Sequence, residues 1–204
     1  MTKEKLVQAT IKNVAKFGYQ GASMRKIAEE VGIKPASIYH FFPNKQELVI
    51  EAMRMILNHH FSSMRAVFEK EQHTSINVVF SELFNSLVFH HRSYQDETQA
   101  YVLMVNSEIP EIKVEVQKYL ENYNEWLVEQ LTDEIRVRYP HLHYKEVKEI
   151  IDHFIFLGNG LFWGVVIYND EDVKNNLTHA TNLMNQYLQL KIGSVQNGGE
   201  QKTY

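Results

Sequence analysis

Between Ile76 and His91 the apolar side chains recur at spacings of three and four: Ile76, Val79, Phe80, Leu83, Phe84, Leu87 and Val88, with His91 closing the row. That spacing puts them on one face of a helix. Residues 112–135 repeat it with Ile112, Val116, Tyr119, Leu120, Tyr123, Leu127, Leu131 and Ile135. Residues 173–190 do so with Val173, Leu177, Ala180, Met184, Tyr187 and Leu188. Residues 147–167 are apolar nearly all round, which predicts a helix buried on several sides. Turn chemistry separates these pieces at Gly18–Gly21, Gly32, Pro43-Asn44, His73–Ser75, Pro110, Pro140 and Asn169-Asp170. Strand-like alternation never persists, and neither an internal repeat nor a glycine-rich phosphate loop is present. The pattern predicts an all-α fold.

Several chemistries are excluded at once. The chain has no cysteine, so disulfides, thiolate metal sites and cysteine nucleophiles are out of reach. Its ten histidines hold no pair at i, i+4, and adjacent histidines such as His59-His60 and His90-His91 diverge by ~100° on a helix. No metal site or cofactor is expected. No run approaches the ~18 uninterrupted apolar residues of a membrane span, and the N-terminus lacks a signal-peptide pattern. A cytoplasmic protein is the expectation.

The formal net charge of −4 averages two unlike parts. Residues 1–48 hold eight Lys/Arg against four Glu, a balance of +4, and the rest of the chain carries −8. A basic head on an acidic body points to a polyanionic partner for the head.

The head also differs in grain. Helix one is expected from Thr2 to Phe17, with Gly18 at its left-handed cap. Ser23 suits an N-cap for an eight-residue helix, Met24 to Val31, that ends at Gly32. Pro35 suits the first turn of a third helix of about seven residues. Asn44 followed by Glu47 resembles a capping box that opens a long helix at Lys45. Helices this short persist only when neighbours clamp them. Ile38 and Phe42, at i and i+4, are expected to face Ile27, Ala28 and Val31, with Phe41 completing that core from its edge. Tyr39 and His40 then point outward.

Helix, glycine turn and short helix with polar outward residues is the helix-turn-helix layout. The residues IAEEVGIKPASIYHFFPNKQEL, with KFGYQGASMRK upstream, closely resemble the N-terminal domain of the TetR family of transcriptional regulators. Gly18-Tyr19, Ile27-Ala28, Gly32-Ile33, Ser37-Ile38-Tyr39, Phe42, Asn44-Lys45 and Leu48 fall in register with that family over roughly residues 5–50. Two positions depart from it. Lys34 stands where many relatives place a capping Ser or Thr, and Phe17 where a polar residue is common; a buried contact with the second domain is expected for Phe17.

The resemblance implies a three-helix DNA-binding domain at 1–47 and a helical effector-binding and dimerisation domain at 48–192, about nine helices in all. Residues 193–204 read as a disordered tail. It further implies that Tyr39 and Lys45 contact phosphates and that Arg25 touches backbone or base edge. Lys34, Ala36, Ser37 and His40 would face the major groove. A homodimer through 147–168 and 171–191 would present two such heads to palindromic operator DNA. Gly158, Gly160 and Gly164, poor helix formers, make sense where another helix approaches closely. Phe84, Tyr101, Tyr123, Trp126 and Phe162 are the candidate lining for a small-molecule effector that is hydrophobic, flat or cationic. The expected function is a one-component repressor that an effector releases from DNA. The alternatives are a DNA-binding regulator under partner control or acting as an activator, and an all-α enzyme using Glu, His and Tyr. No nucleophile–base motif supports the enzyme.

Overall fold

The structure is a computed structural model that describes residues 2–196. Among these residues every regular element is a helix: α1 (Thr2–Gly21), α2 (Met24–Val31), a 3-10 helix (Pro35–His40), α3 (Lys45–Glu71), α4 (Ile76–Ser93), α5 (Gln95–Val105), α6 (Pro110–Arg138), α7 (Tyr144–Ile167) and α8 (Asp170–Gln196). The all-α expectation holds. Of the disordered tail expected from residue 193, residues 193–196 are instead the end of α8; residues 197–204 lie outside the described residues.

The chain divides into two compact units. One takes residues up to 62 together with 93–122, the other 63–92 together with 123 onward. In the first, Leu6, Val7 and Val14 of α1 share a core with Ile27, Ala28, Ile38 and Phe42, with Leu48 and Met53 of α3, and with Ala100 and Met104 of α5. The N-terminal helices therefore do not close a core by themselves: α1 packs most extensively along α5. In the second unit Phe154 of α7 stacks on Phe80 and Phe84 of α4, with ring centres 4.6 and 4.7 Å away. Leu131, Ile135, Ile150, Met184 and Leu188 fill the space around them.

The local punctuation of the head follows its sequence. Gly18 takes φ 66°, ψ 177° and breaks the helical path of α1. The Ser23 hydroxyl accepts from the Lys26 amide at 3.2 Å. Gly32, at φ 78°, caps α2, and the Ile33 amide reaches back to the Ala28 carbonyl. Asn44 Oδ1 accepts from the Glu47 amide at 2.8 Å and starts α3.

α7 departs from expectation. Ile150, Ile151, Phe154 and Leu161 are buried, yet Phe156 is 78% exposed and Trp163 and Ile167 stay largely open. Although no uninterrupted apolar run of membrane length was expected, α7 is long and apolar enough to cross a bilayer, with a mean hydropathy of 1.7. One third of that window is buried within the protein, and the rest stays at least partly open.

Candidate nucleic-acid interface

The third element of the head is a 3-10 helix of six residues where an α-helix of about seven was expected. The physical reasons are local. Lys34 offers no side-chain cap, Pro35 lacks an amide, and a segment so short gains little from i→i+4 bonds. The Ser37 amide donates to the Lys34 carbonyl at 2.8 Å and the Phe41 amide to the Ile38 carbonyl at 2.9 Å.

Burial sorts the side chains of this rod sharply. Ile38 is fully buried and Phe42 nearly so, while Tyr39 is 56% exposed and His40 is exposed. Phe41, expected to complete the core, is 41% exposed instead. It sits at the C-cap, beyond the last residue of the 3-10 helix. Three of the four consecutive rings therefore face outward, joined by Lys34 and Ala36, with Ser37 half-buried.

Two expected DNA contacts have internal partners. Arg25 Nε donates to Glu29 Oε1 at 2.8 Å, an i, i+4 pair on the α2 surface. The Lys45 ammonium donates to the carbonyls of Tyr19 at 2.9 Å and Ala22 at 3.2 Å. It also lies 4.2 Å from the Tyr19 ring centre, and burial pulls its pKa below the ordinary lysine value. Lys45 thus ties the first turn of α3 to the bend between α1 and α2.

Phe17 is not the buried contact expected of it. Its ring is 46% exposed and carries two ammoniums, that of Lys16 at 5.2 Å and that of Lys26 at 5.1 Å. Sequence reasoning missed this trio. The available signal was an aromatic residue directly after Lys16 at the end of a basic stretch, with Lys26 on the next helix.

The candidate effector residues divide between the units. Tyr101 lies in the first, against its core, where burial raises the hydroxyl pKa. Phe84, Tyr123, Trp126 and Phe162 lie in the second. Phe84 is buried against Phe154, and Trp126 meets Phe68 edge-on at 5.8 Å. Tyr123 tilts against Trp126 at 6.0 Å, and burial raises its pKa strongly. Phe162 meets His91 edge-on at 4.8 Å. These rings therefore already serve as packing.

A basic all-helical head that holds a short rod against its core, with polar and aromatic residues outward, defines a helix-turn-helix protein. Residues 6–52 match the family model described as bacterial regulatory proteins, tetR family. Over those residues, under a quarter of its length, the chain resembles the N-terminal helix-turn-helix domain of that family. It is 31% identical over 90 residues to the HTH-type transcriptional repressor KstR2 of Mycobacterium tuberculosis, a match spanning 42% of this chain and 45% of that protein. The chain thus matches less than half the length of these curated relatives. The fold extends further. A TetR-family regulator from Mesorhizobium loti superimposes with TM-score 0.71 at 15% identity, covering 93% of this chain and 96% of that one. The regulator FadR of Bacillus subtilis, in complex with stearoyl-CoA, does so with TM-score 0.68 at 17% identity, covering 93% and 97%.

Proposed function

We propose that the chain is a one-component transcriptional repressor acting in the cytoplasm. It binds palindromic operator DNA as a homodimer and is released by a small molecule. Residues 1–47 form the reading head, and 48–192 form the effector-binding and dimerising body. The carrying observation is the rod Pro35–His40, pinned by Ile38 and Phe42 while Tyr39 and His40 stand in solvent. Tyr39, Arg25 and Lys45 serve the DNA backbone, Arg25 by leaving Glu29 and Lys45 through its hold on the bend. Lys34, Ala36, Ser37 and His40 face base edges.

The dimer is supported by one face of α7, where Phe156, Gly160, Trp163 and Ile167 follow at i, i+4, i+7 and i+11 and all are exposed. Leu183 and Leu190 of α8 add exposed apolar surface. A second copy would cover these side chains in a four-helix arrangement. The effector is an apolar or aromatic molecule, with Phe84, Tyr123, Trp126 and Phe162 of the second unit as its candidate lining. It acts by binding the DNA-bound and released arrangements with different affinity.

The test is fluorescence anisotropy of the purified chain on duplexes from upstream of its own gene, across a salt series. Binding that weakens steeply between about 50 and 200 mM salt, with one duplex preferred over the others, supports the reading. Absence of binding at the lowest salt, or binding that ignores salt, overturns it.

A further inference from the structure

We infer that Lys16, Phe17 and Lys26 form a separate binding station for the phosphodiester backbone of duplex DNA, outside the recognition rod. The inference rests on the DNA-binding reading above.

Phe17 is half-exposed at the end of α1, where core packing does not account for a large apolar ring. What the ring does touch is charge. The Lys16 and Lys26 ammoniums each lie within 5.2 Å of its centre, and among the described residues neither lysine is in an ion pair. The acids of α2 are engaged elsewhere: Glu29 with Arg25, and Glu30 with Asn13 at 2.7 Å. Two like charges drawn to one ring repel each other. The negative face of the ring offsets part of that repulsion and holds both lysines near one place. An anion beside the ring interacts with both cations at once, and a compact ammonium suits phosphate as a point charge.

The site is built into the bend. Gly18 turns the chain directly after the ring. A side chain at Gly21 would come within 2.8 Å of the Phe17 Cβ, so glycine there leaves the ring its position. Lys45 holds Tyr19 and Ala22 of the same bend and begins the helix that follows the rod. The trio belongs to the same compact unit as Tyr39 and His40. Duplex DNA presents one negative charge per about 1.7 Å of axis, so a second cationic station on a reading head adds affinity without sequence preference.

The experiment measures anisotropy of the full chain on a labelled duplex of random sequence across a salt series, for the parent, K16Q/K26Q, F17L and K145Q. Lys145 is an exposed lysine of the other unit and controls for net charge. All four positions are exposed, and thermal melts confirm that each variant folds. Losing two phosphate contacts should lower the slope of log K against log salt by about 1.8 and weaken binding about tenfold or more near 0.1 M salt. F17L keeps both charges, so the slope should hold while affinity drops about two- to threefold. K145Q should match the parent. A parent slope in K16Q/K26Q, an equal loss in K145Q, or parent affinity in F17L overturns the inference while the regulator reading stands. Failure of the parent itself to bind at low salt removes both.

Discussion

The Lys45 ammonium lies 2.9 Å from the carbonyl oxygen of Tyr19 and 4.2 Å from the centre of that residue's own ring. With the Ala22 carbonyl as a further acceptor, two of its three donors stay inside the protein. Lys45 therefore positions the bend from which the reading head is built.

Replacing Lys45 with methionine should accordingly cost stability first. Charged hydrogen bonds are worth about 1.5–3 kcal/mol, and partial exposure puts this loss at about 1–2 kcal/mol. In a denaturation series the midpoint should fall. The salt slope of DNA binding should change by well under the ~0.9 expected for one phosphate contact. A full unit of slope lost, with the midpoint unmoved, would return Lys45 to the DNA backbone.

Neighbouring positions on the rod should separate stability from recognition. Ile38 is fully buried, so Ile38→Ala should cost about 2–5 kcal/mol and weaken every DNA interaction with it. Tyr39 is mostly exposed, so Tyr39→Ala should leave the melting curve in place and lower affinity for all duplexes alike. Ser37→Ala and His40→Ala should instead reorder the preference among duplexes. Uniform losses from both would remove their base-reading role.

The contrast between those neighbours was legible in the sequence because it is local. Ile38 and Phe42 declare a face by spacing, Ser23 and Asn44 accept from amides three residues on, and Gly32 turns the chain at its own position. What the sequence concealed depends on distant partners. α5 buries only Thr98, Ala100 and Met104, too few to show a period, yet it is the main partner of α1. Phe17 was expected to be a buried contact with the second domain, and only the positions of Lys16 and Lys26 show what its ring meets instead. A helical period would put Phe41 at the edge of the core, but the 3-10 helix ends at His40 and Phe41 is its cap. The five candidate effector residues are candidates by chemical type, and type alone does not distinguish a ligand wall from core packing.

Gly32 offers a clean backbone measurement. Its φ of 78° lies in the left-handed region, and a Cβ there would meet no atom within 4 Å. Gly32→Ala therefore carries a conformational cost alone, about 1–2 kcal/mol. The loss should appear as a lowered denaturation midpoint with an unchanged dependence on denaturant concentration. A neutral substitution would mean that the turn relaxes without strain.

Arg54 and Glu115 make the pH dependence specific. Arg54 grips both carboxylate oxygens, at 3.0 and 2.6 Å, and this hydrogen bonding holds the Glu115 pKa below its ordinary 4.5. The stabilisation is thus present above about pH 4.5 and is lost as pH falls through the depressed folded value. Both side chains are partly exposed, so Arg54→Met should cost less than about 1 kcal/mol at neutral pH. The gap between parent and variant should close on acidification. A gap that persists at pH 3 would place the cost in lost packing of the arginine stem.

The bare side of α7 yields the sharpest test of assembly. Gly160 has no atom within 4 Å of a built Cβ, and Phe156, one turn earlier, is mostly exposed. Neither site is filled by the protomer itself, so Gly160→Leu and Phe156→Glu should not lower its intrinsic stability. Replacing a helical glycine even favours the helix by up to about 1 kcal/mol. If a second copy packs on this face, leucine at 160 obstructs the close approach of backbones and glutamate at 156 places a charge in an apolar seam. Light scattering should then show the parent at twice the chain mass and both variants shifted toward the monomer. Their melting temperatures should depend on protein concentration less steeply than the parent's, because a protomer that no longer associates gains little by mass action. Unchanged dimers in both variants would move the interface elsewhere on the surface and leave the exposed Phe156 and Ile167 without a partner.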